Sequence, residues 1–353
     1  MTNILVTTTT FPKNDMDTSP RFVFDLCEAL AIKQDFEIYV LAPHVKHSKT
    51  IETKRNIKIK RYRYSIQNLE VISGNGIINK LKKNKMYILL TPFLFIFQII
   101  NIVKISKRNN IKLIIAHWIL PQGLCAVIAK LFFLKGVKII TISHGGDASL
   151  IDNNRYLKPI GKFIIKKSDL VISVSSYIRN KIISFSGTDK EIKVLSMGVD
   201  HSKFNMCSLT GHVVKKYDFI FIGRLEEKKG VEYLVKAIKL LEGLGTRTII
   251  IGDGSERTKL EALSCKNDLE NNITFTGSLT HDEIISYMKE SRIFVAPSIN
   301  MPSDTEGMPT TILEAMSAGL PIITTDAGGI TDVIKNKLNG LVTPQRSPES
   351  LSV

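Results

Sequence analysis

Two glutamates near the end of the chain lie on either side of the start of a short predicted helix. Glu306 precedes the helix and Glu314 lies inside it, while Met308-Pro309 suits its first turn and Gly319 its end. The free backbone N–H groups at a helix start bind anions. The stretch therefore suits a ligand with phosphate at the helix start and hydroxyls on either side, such as a nucleotide sugar. The alternative is a surface helix with two solvated glutamates.

A second set of polar residues follows two predicted strands in the first half of the chain. His117 follows the strand predicted at 112–116, and His144-Gly145-Gly146-Asp147 follows the strand predicted at 137–142. Open α/β sheets bind ligands at the carboxyl ends of their strands, so His144 is well placed for chemistry. A His-Gly turn that only caps the strand is the alternative.

The composition is that of a globular protein large enough for two domains. The chain has 353 residues, of which 44% are hydrophobic and 23% are charged. Its four cysteines form no C-x-x-C pair, which predicts reduced thiols in a cytoplasmic protein. Residues 1–8 lack the basic and long apolar segments of a signal peptide.

The net charge of +15 is concentrated between residues 46 and 112, where Glu52 and Glu70 are the only acidic residues. This density predicts contact with an anionic membrane surface or an anionic acceptor. No nucleic-acid partner is expected, because no helix-turn-helix, zinc or RNA-binding signature accompanies it. A solvated lysine-rich face is the alternative. The basic residues are Lys46, Lys49, Lys54, Arg55, Lys58, Lys60, Arg61, Arg63, Lys80, Lys82, Lys83, Lys85, Lys104, Lys107, Arg108 and Lys112.

An uncharged stretch, 86–103, lies within this basic region. Its length approaches that of a membrane span. Pro92, Gln98 and Asn101 interrupt it, however, and it stands within a regular alternation of strands and helices. We expect a helix that packs on the protein or touches the membrane, and the lysines on both sides suit a peripheral contact with the inner face of the plasma membrane.

Strands and helices alternate through both halves of the chain, which predicts parallel sheets with right-handed crossovers. We expect an N-terminal domain over 1–204, a polar linker over 205–216 and a C-terminal domain over 217–353. Both domains carry ligand-type loops at their strand ends, and this arrangement implies a cleft between them.

An ordered set of motifs resembles the retaining glycosyltransferases of family 4. This family has the GT-B fold, in which two Rossmann-like α/β/α domains face a cleft. The resemblance covers residues 3–345. Its motifs are Gly223-Arg224 with Lys229-Gly230, the turn Gly252-Asp253-Gly254, the E-x7-E spacing of Glu306 and Glu314, and in the first half TTTTFPKND, HGGD, ISVSSYI and MGVDHSKF.

The resemblance implies a role for each candidate residue. Arg224 and Lys229 would hold the donor diphosphate and stabilise its departure, so that neither a metal nor another cofactor is expected. Glu314 would accept hydrogen bonds from the ribose, while Glu306 and His144 would lie near the donor sugar. The donor site would also include Gly223, Gly307, Met308, Pro309 and Thr310, with Gly252, Asp253 and Gly254 near the nucleobase and Arg21, His117 and Asp147 on the acceptor side.

The implied reaction moves a sugar from a nucleotide diphosphate sugar to a polysaccharide or lipid-linked acceptor of the cell envelope, with retention of anomeric configuration. No carboxylate pair indicates a double displacement, so a same-face transfer is favoured, in which the leaving phosphate oxygen helps to take the acceptor proton. The alternatives on this fold are a nucleotide-sugar epimerase, a phosphorylase and a non-catalytic nucleotide-sugar-binding protein.

Two features depart from the family pattern. The loop 10–20 lacks the double glycine that many members place close to the donor, which leaves Arg21 as a candidate contact there. Family members usually continue beyond the strand near 340–343 with helices that cross back to the N-terminal domain. We expect these crossing helices to be missing from the 353 residues and domain closure to be weaker for that reason.

Overall fold

The computed structural model describes residues 1–14, 16–65, 70, 85–204, 214–301, 304 and 306–352. The chain divides into two compact units. Unit 1 comprises Met1–Val174 and Ile178–Ser196, and unit 2 comprises Ser175–Tyr177 and Met197–Val353. The predicted basic residues Lys80, Lys82 and Lys83, the cysteine Cys207 and residues 205–213 of the predicted linker lie outside the described residues.

Unit 1 is built on an eight-stranded sheet with the order β3-β4-β2-β1-β5-β6-β7-β8. Its pairings are parallel, except that β3 pairs antiparallel with β4. The strands are β1 (Thr2–Thr7), β2 (Phe36–Pro43), β3 (Ile51–Lys54), β4 (Ile57–Tyr62), β5 (Leu113–His117), β6 (Lys138–Ser143), β7 (Leu170–Ser173) and β8 (Ile192–Val194).

The sequence pattern did not predict β3. A two-residue turn joins it to β4, and both turn residues, Arg55 and Asn56, have positive φ angles of 48° and 62°. Hairpin turns of this kind usually carry glycine, so the sequence signal was weak.

Helices cover this sheet and connect its strands. A 3₁₀ helix at Lys85–Leu90 leads into α2, where the sequence predicted a helix over the uncharged stretch. The helices are α1 (Phe22–Ile32), α2 (Thr91–Arg108), α3 (Leu124–Phe133), α4 (Gly146–Asp152), α5 (Leu157–Lys167) and α6 (Ser176–Ser186).

Unit 2 is built on a six-stranded parallel sheet with the order β11-β10-β9-β12-β13-β14. Its strands are β9 (Tyr217–Ile222), β10 (Thr248–Ile251), β11 (Ile273–Gly277), β12 (Ser291–Ala296), β13 (Ile322–Thr325) and β14 (Leu341–Thr343). Its helices are α7 (His201–Phe204), α8 (Val231–Leu240), α9 (Arg257–Lys266), α10 (His281–Lys289), α11 (Thr310–Ser317), α12 (Ile330–Val333) and α13 (Pro348–Leu351).

Both faces of the unit 2 sheet are buried. Ile220 and Ile222 of β9 belong to one apolar cluster, whereas Phe221 between them belongs to the other. Strands covered on both sides are therefore continuous apolar runs rather than alternating ones. The two parallel-sheet α/β units confirm the predicted fold class. The carboxyl ends of β9, β10 and β12 lead into the loops that carry the predicted donor residues.

Candidate active site

The loop that follows β9 holds Lys229 in a fixed backbone conformation. Glu227–Lys229 form a 3₁₀ turn that ends at Gly230, whose φ angle is 64°. A Cβ atom at Gly230 would lie 1.9 Å from the carbonyl oxygen of Pro297, so the backbone of this loop packs directly on the loop after β12. Only glycine fits such a close approach at a positive φ angle.

Lys229 and Glu306 form a buried ion pair in unit 2. Lys229 Nζ lies 3.0 Å from Glu306 Oε1, and the two side chains are 14% and 7% exposed. Lys228 forms a parallel pair with Asp304, whose Oδ2 lies 2.9 Å from Lys228 Nζ. The structure therefore places two ammonium groups and two carboxylates side by side at the ends of β9 and β12.

Arg224 is the more accessible cation of this group. Its Nη1 donates to Glu226 Oε1 at 2.8 Å, and its side chain is 44% exposed. The positive charge of Arg224 also acts on Glu306, so the predicted cations Arg224 and Lys229 and the predicted carboxylate Glu306 are neighbours. An exposed pair such as Arg224–Glu226 contributes little to stability. The guanidinium can therefore exchange this carboxylate for a more highly charged ligand.

The charges in this group stabilise one another. Burial would raise the pKa of Glu306, but the ammonium groups of Lys229 and Lys228 outweigh it, and the pKa lies below its ordinary value. Burial would likewise lower the pKa of Lys228, but the carboxylates of Glu306 and Asp304 outweigh it, and the pKa is raised. Glu306 and Lys228 are therefore both charged at neutral pH.

The helix that carries Glu314 begins one residue later than the sequence predicted. Pro309 is extended, with ψ at 118°, and α11 starts at Thr310. Gly307, Met308 and Pro309 are buried, and Glu314 on α11 is half-buried. Because Pro309 is extended, it precedes the helix, and the prediction that it is the first helical residue was wrong. The backbone N–H groups of the first helical turn still follow directly after Glu306.

Two glycines outside the predicted site residues pack against this loop. A Cβ atom at Gly328 would lie 2.1 Å from the carbonyl oxygen of Glu306, and one at Gly329 would lie 2.1 Å from that of Gly307. They follow β13 in the short segment Ala327-Gly328-Gly329. The sequence signal that could have predicted these two site residues is a double glycine directly after a buried strand.

The turn predicted near the nucleobase packs against the Arg224 loop. Gly252 has a φ angle of 140°, and a Cβ atom there would lie 1.9 Å from the carbonyl oxygen of Gly223. A Cβ atom at Gly254 would lie 2.2 Å from the carbonyl oxygen of Leu225. Asp253 faces Arg257 at 3.3 Å. The structure thus brings this turn, Gly223 and Arg224 together, while the nucleobase role stays a prediction.

His117 and His144 of unit 1 form a hydrogen-bonded pair. His117 Nδ1 lies 2.9 Å from His144 Nε2, and the His144 ring also contacts Phe22 and Trp118, with centroids 4.9 and 5.0 Å away. Burial lowers the pKa of His117 to about 3. Burial and the neighbouring His117 lower the pKa of His144 well below its ordinary value. Both imidazoles are therefore neutral at pH 7, and Nδ1 of His144 is not used by the pair.

Asp147 and Arg21, predicted on the acceptor side, have partners within unit 1. Oδ1 of Asp147 accepts from Ser143 Oγ and from the backbone N–H of Gly145, and Oδ2 accepts from that of Ile119. Burial raises the pKa of Asp147 in spite of these bonds. Arg21 Nε lies 3.5 Å from Asp25 Oδ1. The internal bonds of Asp147 hold the turn that presents His144, and contact with an acceptor stays a prediction for both residues.

Sequence comparison identifies the family. Residues 19–203, more than half of the chain, match the family described as Glycosyltransferase Family 4. The chain belongs to glycosyltransferase family 4. A second match, described as Glycosyl transferases group 1, covers residues 209–352 of this glycosyltransferase. The two matches confirm the predicted enzyme class.

Curated relatives are also glycosyltransferases. This glycosyltransferase is 28% identical to MJ1069 of Methanocaldococcus jannaschii over 345 residues, which are 93% of this chain and 82% of that protein. It is 27% identical to the amylovoran biosynthesis glycosyltransferase AmsK of Erwinia amylovora over 244 residues, which are 67% of this chain and 59% of AmsK. The match therefore spans less than two thirds of the length of AmsK.

Solved structures share the fold of this glycosyltransferase. Sucrose-phosphate synthase from Thermosynechococcus elongatus matches with a TM-score of 0.79 and 17% identity, over 100% of this chain and 88% of that one. HepE from Anabaena, in complex with UDP and glucose, matches with a TM-score of 0.71 and 17% identity, also over 100% and 88%. These likenesses confirm the predicted GT-B fold, and at such identity they support the fold alone.

Proposed function

We propose that this glycosyltransferase takes its sugar from a nucleotide diphosphate sugar and transfers it to a glycan or lipid-linked acceptor with retention of anomeric configuration. One observation carries the proposal. Two cations, Arg224 and Lys229, lie beside the buried carboxylate Glu306 at the strand ends of unit 2. Fixed cations beside a helix start suit a diphosphate, and the carboxylate suits the hydroxyls of a sugar.

The ion pairs of this group give it a way to accept the donor. Without a donor, Glu226 neutralises Arg224 and Glu306 neutralises Lys229. A diphosphate carries more charge than either carboxylate and would exchange with Glu226 at the accessible guanidinium. The cations would then stabilise the charge that develops on the departing diphosphate. We propose that this replaces a metal ion, and activity that survives a chelator such as EDTA would support it.

The proposed chemical step is a transfer on one face of the sugar. The bond between the anomeric carbon and the diphosphate oxygen breaks, and the bond to the acceptor oxygen forms on the same face. The acceptor proton passes to the departing phosphate oxygen. In this proposal Glu306 positions the sugar and does not attack it. The anomeric configuration of the product, read by NMR, tests retention directly, and an inverted product would overturn it.

The comparisons support the substrate classes without identifying them. HepE, which shares the fold, is described as a complex with UDP and glucose. AmsK, a sequence relative, is described as an enzyme of amylovoran biosynthesis. A nucleotide-sugar donor and a polysaccharide-type acceptor are therefore the classes that we propose for this chain.

A thermal-shift screen of nucleotide diphosphate sugars tests the donor. A ligand at 100 times its Kd stabilises the folded state by about 2.7 kcal/mol, so the preferred donor should raise the Tm most. With that donor, Glu314→Ala should raise the KM and leave kcat within about threefold, because the ribose contact is equally present in the ground state. Glu242→Ala, at an exposed carboxylate that pairs with Lys239 on α8, is the matched control. A screen without any shift, or equal KM values for both variants, would contradict the donor assignment.

A further inference from the structure

Helix α2 is apolar on the side that faces away from unit 1. Its buried side, including Leu94, Gln98 and Ile102, packs on the protein. Its outer side begins with four large apolar residues at helical spacing, which are Phe93, Ile96, Phe97 and Ile100, each more than a third exposed. A helix that only covered a sheet would place polar residues there. Packing against the core of unit 1 therefore does not explain why the outer side of α2 is apolar.

Two helices in a row beside α2 also expose large apolar residues. Cys125 at the start of α3 contacts the backbone of Phe95 in α2, and α3 in turn contacts α5. The last turn of α3 exposes Leu131, Phe132 and Phe133, and Phe132 is 75% exposed. Helix α5 adds Ile160 and Phe163. We call the exposed side of these three neighbouring helices the α2–α3–α5 layer.

All charged residues on the three helices of this layer are basic. The helices contain no Asp or Glu. Their charged residues are Lys104, Lys107 and Arg108 on α2, Lys130 on α3, and Lys158, Lys162, Lys166 and Lys167 on α5. Lys130 and Lys158 pair with Asp169 and Asp152 outside the layer. Within the described chain, the other six form no ion pair.

Three residues of the basic stretch predicted over 46–112 form ion pairs in the fold. Arg55 pairs with Glu28, Lys58 with Glu37, and the buried Arg61 with Glu52. Two of these carboxylates precede the stretch, so the sequence count overstated its free charge. The end of α2 remains strongly basic. Burial, followed by repulsion from Lys104 and Arg108, lowers the pKa of Lys60 beside it.

We propose that the α2–α3–α5 layer is a docking surface for a lipid bilayer that contains anionic phospholipid. The exposed Phe, Ile and Leu side chains enter the boundary between headgroups and acyl chains, and the lysines contact the headgroup phosphates. A second copy of the chain fits less well, because a two-fold interface would bring the same basic residues of both copies together.

The bilayer contact is peripheral. By length and composition, Tyr87–Arg108 is the one helix in the described residues that could cross a membrane. Its inner side, however, packs on the sheet through Leu94, Ile102 and Ile105. A spanning position would expose that core, so α2 lies on the membrane with its outer side only.

Vesicle co-sedimentation tests this surface. The full chain should bind vesicles of phosphatidylcholine with phosphatidylglycerol more tightly than vesicles of phosphatidylcholine alone, and added salt should weaken the binding. Phe132→Ser with Phe133→Ser should weaken it at least about tenfold, since two aromatic anchors are lost. Lys162→Glu with Lys166→Glu should weaken it at least about 25-fold, because each lysine near an anionic surface contributes about fivefold.

Unit 2 provides matched controls. Leu244 is 75% exposed, as Phe132 is, and Lys266 is exposed like Lys162. Leu244→Ser and Lys266→Glu should therefore bind vesicles as the wild type does. Absence of vesicle binding, or equal binding by all variants, would overturn the proposal. A dimer that the Phe132→Ser and Phe133→Ser changes dissociate would also overturn it and would assign the surface to a second copy.

The docking surface and the donor site can fail separately. The layer contains none of the residues proposed to bind the donor. Its variants should therefore keep the donor-induced Tm shift and the transfer rate to a short water-soluble acceptor. A layer variant that no longer binds vesicles but keeps the donor-induced Tm shift and the transfer rate supports the docking surface. If the wild type shows no Tm shift with any donor, the proposed donor site is contradicted and the docking surface is not.

Discussion

The two units of this glycosyltransferase share a parallel α/β plan, but the helices of unit 2 and the α2–α3–α5 layer of unit 1 carry charge in opposite ways. In unit 2, helices α8, α9 and α10 each carry acidic and basic residues, and many of these pair, as Lys236 does with Glu232 at 2.6 Å. Its buried charges are paired as well. In unit 1, the α2–α3–α5 layer carries basic residues alone beside exposed aromatic ones.

We attribute this difference to the size of the anion that we propose for each region. A small ligand enters a site that must exist before it arrives, so the cations of that site need internal carboxylates to remain buried at acceptable cost. An extended anionic surface needs no burial of individual cations, and exposed lysines can stay solvated until contact. The same fold therefore provides a preorganised site in one unit and an accessible charged surface in the other.

The largest effect should come from removing the buried pair as a pair. Lys229→Met with Glu306→Gln leaves no isolated buried charge, so the fold should persist, but kcat should fall about 100- to 1000-fold because a stabilising cation is lost. The exposed pair offers the control, and Lys236→Met with Glu232→Gln should keep kcat within about twofold. Initial rates with the donor found in the screen measure both. A near-normal kcat for Lys229→Met with Glu306→Gln would show that the buried pair contributes no more to catalysis than the exposed pair does.

The next effect concerns backbone packing beside the site. Gly252→Ala places a Cβ atom against the carbonyl of Gly223 at a φ angle of 140°, and it should lower the free energy of unfolding by about 3 kcal/mol. A Cβ atom at Gly243 would have no neighbouring atom within 4 Å, so Gly243→Ala should change it by less than about 0.5 kcal/mol. Urea unfolding measures both variants, and equal values would show that the turn can rearrange freely.

A smaller, pH-dependent effect should appear in unit 1. His117 has a pKa of about 3 in the folded protein and an ordinary value near 6.5 when unfolded. Below about pH 6.5 the unfolded chain binds the extra proton, so stability is complete above that pH and falls as the pH decreases towards 3. Between pH 8 and pH 5 the loss should be about 2 kcal/mol for this residue.

The variant His117→Asn should not show this loss of stability between pH 8 and pH 5. The control His47→Asn, at an exposed histidine, should show it as the wild type does. Urea unfolding of the three proteins at pH 8 and pH 5 provides the measurement. If His117→Asn showed the same decrease as the wild type, the neutral buried imidazole would not be its source.

The smallest effect should come from the exposed aromatic residues of unit 1. Phe132→Ser should change the free energy of unfolding by less than about 0.5 kcal/mol, because the side chain already faces water. Leu94→Ala, on the buried side of α2, should lower it by about 2–5 kcal/mol. Thermal unfolding without lipid separates the two. A large loss for Phe132→Ser would mean that this surface holds the fold and is not reserved for a partner.

The sequence predicted the fold well because buried parallel strands appear in it as short, continuous apolar runs. Their residues are buried on both faces, as Ile220 to Ile222 show, and each run of apolar residues marks a strand. The motif residues Gly223, Arg224, Lys229 and Glu306 were predicted together from family resemblance, and the structure brings them together.

What the sequence did not predict depends on distant neighbours. The contact of Gly328 with the carbonyl of Glu306, and that between His117 and His144, join segments separated by more than 20 residues. The neutralisation of Arg55 by Glu28 is of the same kind. Spacing along the chain does not report such contacts. The basic side of α5 was missed for a related reason, since only the fold places it next to α2 and α3.

Gly328 and Gly329 limit which amino-acid substitutions the loop around Glu306 can accept. Their backbone lies so close to Glu306 and Gly307 that neither glycine can gain a side chain unless the other loop moves away. Substitutions in the two segments are therefore expected to occur together during divergence. A library intended to alter the donor preference should vary 304–309 and 326–329 jointly, because diversity in the first segment alone keeps the backbone shape that the two glycines impose.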